Sequence, residues 1–291
     1  MLQAALVAER VRSWLDVLGP AGHVHSVFRR VCNLSWGEWL ITLHTIETGT
    51  LPNGVMLCGD VDFLEMGLRP GLPVGWRPDE ACLYVGDHPV SLLRAAPAPA
   101  GGRMVAKLAD LEANRALLFD LVRRGGRGTI WAQLNRAGGG SARDLAGKSA
   151  WERGRRLCES LRRGDERAVR SGVASLLGLG EGLTPSGDDL ILGTMAALHY
   201  SGRGLGVLGD CVALLAREAT TQVSANYLRL AALGEFSSRL DGAVTALLGG
   251  SGGELREPVL RLLDHGHSSG TDTAAGLYLG MSVLIARGVV A

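Results

Sequence analysis

No two cysteines in this chain are spaced as a C-x-x-C pair; Cys32, Cys58, Cys82, Cys158 and Cys211 are scattered and odd in number. That pattern excludes the usual disulfide frameworks and zinc sites, and fits reduced, mostly buried thiols in a cytosol. An excess of one charge is missing too. The formal net charge is +1, so bulk electrostatics gives no pull toward nucleic acid or a membrane surface. The last apolar run, Ala274 to Ala286, is shorter than the ~20 residues a membrane-spanning helix needs. Met1 to Arg10 lacks a basic leader followed by an apolar core, so we expect no signal peptide and a cytoplasmic location. The glycine-rich pieces at 138–140 and 249–253 read as mobile connections. Neither leads into Gly-Lys-Ser/Thr, which excludes a phosphate loop of that kind. No nucleophilic triad is visible.

What is present describes a folded protein of two domains or one large one: 291 residues, 46% hydrophobic and 20% charged. The punctuation changes along the chain. Between His23 and Ala96, short runs rich in β-branched and aromatic residues alternate with Pro and Gly. Val24–Phe28, Trp39–His44, Val55–Cys58 and Ala81–Val85 read as strands, with turns at Pro52-Asn53-Gly54 and Arg69-Pro70-Gly71. A small antiparallel sheet or barrel is expected. Ala95 to Gly102, with its repeated Pro and Gly, is the linker candidate. Beyond it the pattern turns helical over Met104–Arg124, Trp151–Val173, Cys211–Leu233 and Leu240–Leu248. We therefore expect an α+β protein, with a β-rich N-terminal domain over 1–100 and a larger helical domain over 101–291. Trp151–Val173 is rich in arginine, but its interspersed acids make it a surface helix of mixed charge.

Two stretches nearly repeat each other. Ser186-Gly187-Asp188-Asp189 and Ser269-Gly270-Thr271-Asp272 are both Ser-Gly-x-Asp, lie 83 residues apart, and run into segments that are apolar on every side. Each has a glycine four residues past its last Asp, Gly193 and Gly276. Such helices belong in the middle of a domain. Ser followed three positions later by Asp is a helix-start pattern, because the hydroxyl caps a free N–H and the acid favours the positive helix end. Thr184-Pro185 offers a second cap register. If the two helices pack together, hydroxyls, N–H groups and acids gather at one end of the core.

Capping alone accounts for Ser and Asp. The glycine run from Gly178 to Gly187 and the doubled acid favour a ligand site, since glycine lets backbone approach a ligand and free N–H groups can hold an anion. A divalent cation, Mg²⁺, between the acids would relieve their repulsion; Asp189 and Asp272 are its candidate ligands. Asp188, Asp189 and Asp272 are the candidate catalytic residues. Gly182, Thr184, Ser186, Gly187, Ser269, Gly270 and Thr271 are the candidate substrate-binding residues. Ser224 and Asn226, polar in an otherwise apolar helical region, would add a third wall. His25 would reach the pocket from the N-terminal sheet, which would cover it as a lid. His265 and His267, on a polar loop, read as exposed.

The octapeptide Gly-Leu-Thr-Pro-Ser-Gly-Asp-Asp at 182–189 is the most distinctive part of a resemblance that spans most of the chain. Val24-His25-Ser26-Val27-Phe28, Ser224-Ala225-Asn226-Tyr227-Leu228, Gly234-Glu235-Phe236-Ser237 and Ser269-Gly270-Thr271-Asp272 carry the rest. The chain resembles the bacterial DUF2877 family, one branch of which is a subunit of oxamate carbamoyltransferase. The resemblance implies chemistry on carbamoyl phosphate and a small amide acid, oxamate giving oxalurate and phosphate, carried out with partner subunits. It places a family motif on Thr184, Ser186, Gly187, Asp188, Asp189 and Asp272. The Ser-Thr-Arg-Thr phosphate motif of the well-studied carbamoyltransferases is absent, so their mechanism does not transfer. The rival expectations are a non-catalytic assembly subunit and a metal-dependent hydrolase that activates water.

Overall fold

The computed structural model describes residues 1–17, 21–99, 110–128, 130 and 142–286, with backbone only at 142–147. By internal contacts the chain divides into two compact units, Met1–Gly101 and Gly102–Ala291. The expected boundary at 100/101 and the glycine piece at 138–140 lie outside the described residues.

The first unit is a closed barrel. Its strands are β1 (Leu2–Val7), β2 (Ala21–Val27), β3 (Val31–Trp36), β4 (Trp39–His44), β5 (Gly54–Leu57), β6 (Pro73–Arg77), β7 (Cys82–Val85), β8 (His88–Ser91) and β9 (Ala96–Pro97). They lie in the order β5-β4-β3-β2-β6-β7-β8-β1-β9, and pairing of β1 with β5 closes a ring of eight. The expected sheet was antiparallel; the barrel is mixed, because β4–β5, β1–β8 and β1–β9 are parallel. The linker candidate begins as structure, with Ala96–Pro97 pairing to Leu6–Val7. Val7, Val24, Leu34, Ile41, Val55, Leu83 and Val90 fill the interior, each buried aliphatic side chain contributing roughly 1.5–3 kcal/mol. One helix, α1 (Glu9–Val17), turns Val11, Trp14 and Leu15 inward, and Trp14 lies 4.7 Å from Trp39 between ring centroids.

The second unit is helical: α2 (Leu111–Gly125), α3 (Ala142–Arg163), α4 (Glu166–Leu176), α5 (Ser186–Tyr200), α6 (Gly206–Ala219), α7 (Gln222–Ala232), α8 (Ser238–Gly249), α9 (Arg256–Leu263) and α10 (Ser269–Ala286). Two expected helices are each two. Trp151–Val173 breaks at Gly164, whose φ is +69°, and Asp165 restarts the chain by accepting the N–H of Ala168 (3.0 Å). Cys211–Leu233 breaks at Thr220-Thr221, where the Thr221 hydroxyl caps α7 through Ser224 N–H (3.1 Å). The glycine piece at 249–253 ends α8 and enters a short 3-10 turn at Gly252–Glu254. No helix among the described residues is long and apolar enough to cross a membrane.

Helices α5 and α10 form the centre, with α2, α3 and α9 around α10 and α7 and α8 against α5. Their contact is glycine-mediated and reciprocal. A Cβ at Gly193 would lie 2.0 Å from the Thr273 carbonyl oxygen, and one at Gly276 would lie 2.3 Å from that of Leu190. Leu190 and Thr273 are themselves 83 residues apart. The same offset relates Gly187 and Gly270, whose added Cβ atoms would meet the carbonyls of Leu176 (2.1 Å) and Leu262 (1.9 Å). The two Ser-Gly-x-Asp segments thus share one packing scheme, related by a local two-fold.

Candidate active site

Neither expected cap register forms at α5. Its N-cap residue is Pro185, which has no side-chain acceptor, and Ser186 is the first helical residue. The loop before it is tightly folded. Gly178 (φ +71°) leaves 2.4 Å between an added Cβ and the Ala219 carbonyl, and Gly180 (φ +132°) leaves 2.6 Å to the Ser186 nitrogen. This loop also takes up the helix-start amides. Gly187 N–H donates to Leu179 O (2.8 Å), while Asp188 and Asp189 N–H donate to Pro185 O (2.9 and 3.1 Å). At α10, Gly270 N–H donates to His265 O (2.9 Å) and Asp272 N–H to Ser268 O (3.0 Å). The anion cradle expected around Gly182–Gly187 therefore lacks the Gly187 amide, because the first turn closes on its own loop.

Released from capping, the Ser hydroxyls cross between helices. Ser186 Oγ donates to Asp272 Oδ2 at 2.7 Å, and the Ser269 side chain lies close enough to Asp189 to lower its proton affinity. Ser268 also reaches Asp272, and Thr184 reaches Asp189. Both acids are sealed: Asp189 is 3% exposed and Asp272 0%. Asp189 Oδ2 and Asp272 Oδ1 are buried without a hydrogen-bond partner.

Burial sets the electrostatics. It pushes the Asp272 carboxyl up to about 7, against the lowering pull of the Ser186 and Ser268 hydrogen bonds. Burial also raises Asp189 well above the usual carboxylate range, and the Asp272 charge adds to that; the Ser269 bond opposes it. A smaller push comes from Asp188, and Thr184 opposes it weakly. Two such groups cannot both ionise near neutrality. Burial and mutual repulsion therefore favour the protonated form at both positions.

Asp188 is arranged differently. Its Oδ1 accepts the Gly178 N–H (2.8 Å) and its Oδ2 accepts the Thr220 hydroxyl. Ser224 bonds the same carboxyl, whose proton affinity burial nonetheless raises. Ser224 therefore faces Asp188 rather than the shared pair, and Asn226 is buried in α7. Thr271 Oγ1 accepts the Arg127 N–H (2.9 Å). Gly187 and Gly270 serve the packing, and Gly182 (φ +90°) has nothing within 4 Å of an added Cβ.

His25 belongs to the barrel unit. A bulge between Val24 and Ser26 interrupts the β2–β3 register. His25 Nδ1 lies 3.1 Å from Ser26 Oγ, which accepts from Asn33 Nδ2 (2.9 Å). His265, expected to be exposed, is half-buried, while His267 is exposed.

The residues brought together are thus Thr184, Ser186, Asp189, Ser269 and Asp272. Ser268 joins them, and only its adjacency to Ser269 hinted at it. Thr220 joins Asp188, its sole prior signal being the polar run it starts. Mg²⁺ keeps several waters and needs room for them. Two acids this buried, whose raised proton affinity favours the uncharged form, do not fit a hydrated Mg²⁺.

Two family models match the chain. Residues 3–97 match the AllH family N-terminal domain, and residues 176–281 match AllH, the oxamate carbamoyltransferase subunit. The second match contains both Ser-Gly-x-Asp segments. Residues 98–175 fall outside both. No solved structure matches the chain.

Proposed function

Because the chain belongs to the family of the oxamate carbamoyltransferase subunit AllH, we propose that it works as one subunit of a cytoplasmic carbamoyltransferase, its carboxyl pair handling the amide acceptor. One observation carries this reading: two buried acids of raised proton affinity, Asp272 bonded by Ser186 of the facing helix and Asp189 influenced by Ser269, each keep an oxygen without a partner. An amide –NH₂ offers two donors, the complement of two such acceptors. The amide nitrogen of oxamate is a weak nucleophile. In the proposed step the ionised carboxylate takes one N–H proton as the nitrogen bonds the carbonyl carbon of carbamoyl phosphate. The C–O bond to phosphate breaks, and phosphate leaves with that electron pair. A base with proton affinity near 7 suits this work at neutral pH, and orientation by the serines supplies the rest.

The near-complete burial of both acids favours a second reading, in which the Ser186–Asp272 bond clasps α5 to α10 and the subunit serves assembly. One experiment separates the two. The chain is purified with its partner subunits, and oxalurate and phosphate formation from oxamate and carbamoyl phosphate is followed for wild type and Asp272→Asn. The first reading expects kcat to fall ~100-fold or more in an intact, folded complex. It also expects the wild-type rate to rise through pH ~7 and the variant to lose that rise. Full activity in the variant would transfer the role to the clasp.

A further inference from the structure

One face of α3 leads away from the carboxyl pair to a second site. Gly154 and Leu157 turn inward; a Cβ at Gly154 would touch Leu279 Cδ1 at 3.0 Å. The opposite face, with Arg115 of α2 and Tyr278 of α10, lines a cleft of about 860 Å³. The cleft has a wall and a charged rim. Trp151 and Tyr278 form the wall, their ring centroids 6.2 Å apart. Arg115 is fixed over it, its guanidinium carbon 4.0 Å from the Tyr278 centroid and its Nε donating to Tyr278 O (3.2 Å). Arg155 and Arg156 supply the rim. Glu159, which could neutralise them, is taken by Arg162 (3.0 Å) and Arg163 (2.7 Å).

We infer that this cleft binds a nucleoside polyphosphate, the base against Trp151 and the phosphates on Arg155 and Arg156. The volume lies at the upper end of the ~300–1,000 Å³ of small-molecule sites, far more than a bare phosphate fills. Guanidinium forks match phosphate oxygens two at a time, and an indole face stacks any base. Glu152, which also lines the cleft, supplies an acceptor for sugar hydroxyls. Most of the lining falls within residues 98–175, which neither family model covers, so the inference is independent of the carboxyl pair and of carbamoyl transfer.

The full chain is titrated with ATP, ADP, adenosine and inorganic tripolyphosphate by calorimetry and tryptophan fluorescence. ATP or ADP should bind with Kd below ~0.1 mM, and adenosine and tripolyphosphate at least ~10-fold more weakly. The double variant Arg155→Ala/Arg156→Ala should lose at least ~10-fold in affinity with an unchanged circular dichroism spectrum. Trp151→Phe should lose the fluorescence change. Three results would each overturn the inference. These are no saturable binding at ~2 mM nucleotide, equal affinity in the double variant, or tripolyphosphate binding as tightly as ATP, which would make the cleft a simple polyanion or acidic-segment site.

Discussion

The starts of α5 and α10 share Ser, Gly and Asp in register and differ at the third position, where α5 has Asp188 and α10 has Thr271. The two residues do the same mechanical work. Asp188 receives the Gly178 N–H and Thr271 receives that of Arg127, so each ties a backbone segment to the base of its helix, the helix's own leading loop for Asp188 and the segment just past α2 for Thr271. Their electrical consequences differ. Asp188 adds a carboxyl beside Asp189 and raises its proton affinity, whereas a hydroxyl does nothing comparable for Asp272. A symmetric frame with one unlike residue thereby gives Asp189 an extra push, smaller than those from burial and the Asp272 charge, that Asp272 lacks.

The frame itself is the easiest part to break. Gly193→Ala and Gly276→Ala each drive a methyl group into a backbone carbonyl, at 2.0 and 2.3 Å, and helix backbones cannot yield as a side-chain tip does. Each should destabilise the folded chain by about 3 kcal/mol in urea unfolding, and by similar amounts if the two-fold holds. Gly242→Ala in α8 is the control. Nothing lies within 4 Å of its added Cβ, so the better helix former should stabilise by about 0.5–1 kcal/mol. Equal responses from Gly193 and Gly242 would mean that α5 and α10 do not meet as described.

The asymmetry of charge is tested by pH. Above its ordinary 3.8 the Asp272 proton leaves the unfolded chain, while the folded chain keeps it to about 7. Across that window the folded state binds more protons, so stability falls as pH rises. The contribution is at most about 1.4 kcal/mol per pH unit. Asp189, whose proton affinity is also raised by burial, adds a decline of the same sign. Asp241, raised to about 6 by burial against its bond to Tyr200, adds another. His44, lowered to about 4 chiefly by burial, opposes them. The measurement is therefore the difference between wild type and Asp272→Asn from pH 4 to 8. The variant should lose the Asp272 part of the decline up to about 7, and its Asp189 part should move to lower pH because the Asp272 charge no longer raises it. Identical slopes would show that Asp272 ionises normally.

Much of this frame was legible in the residues, because its signals are local. All-round apolarity marked α5 and α10 as interior, and the repeated tetrad marked their starts as equivalent. Four of the barrel strands stood out by β-branched runs between turns. The barrel's closure did not, since Leu2–Val7 owes its place to Gly54–Leu57 and His88–Ser91, partners more than forty residues away. The serines misled for a related reason. Ser186 in a helix-start pattern reads as a cap, and only packing against α10 offers its hydroxyl the stronger acceptor, an acid from another helix. The amides read as an anion cradle were likewise taken by a loop whose path glycine permits and spacing does not specify.

The smallest expected effect bears on whether Asp188 and Thr271 are mechanical equivalents. Thr271→Val keeps the shape and removes only the acceptor for the Arg127 N–H, a cost of about 1 kcal/mol that should be the same at pH 5 and pH 8. Asp188→Asn keeps an oxygen for the Gly178 N–H but removes a group that can carry charge, so its effect should change with pH. The Thr220 hydroxyl now meets an amide, a loss of similar size, about 1–2 kcal/mol, that should grow as pH rises and the wild-type carboxylate ionises. Asp189, freed of a neighbouring acid, should titrate lower than in wild type. A pH-independent loss in both variants would reduce Asp188 to a tether like Thr271, with no electrical part in setting Asp189.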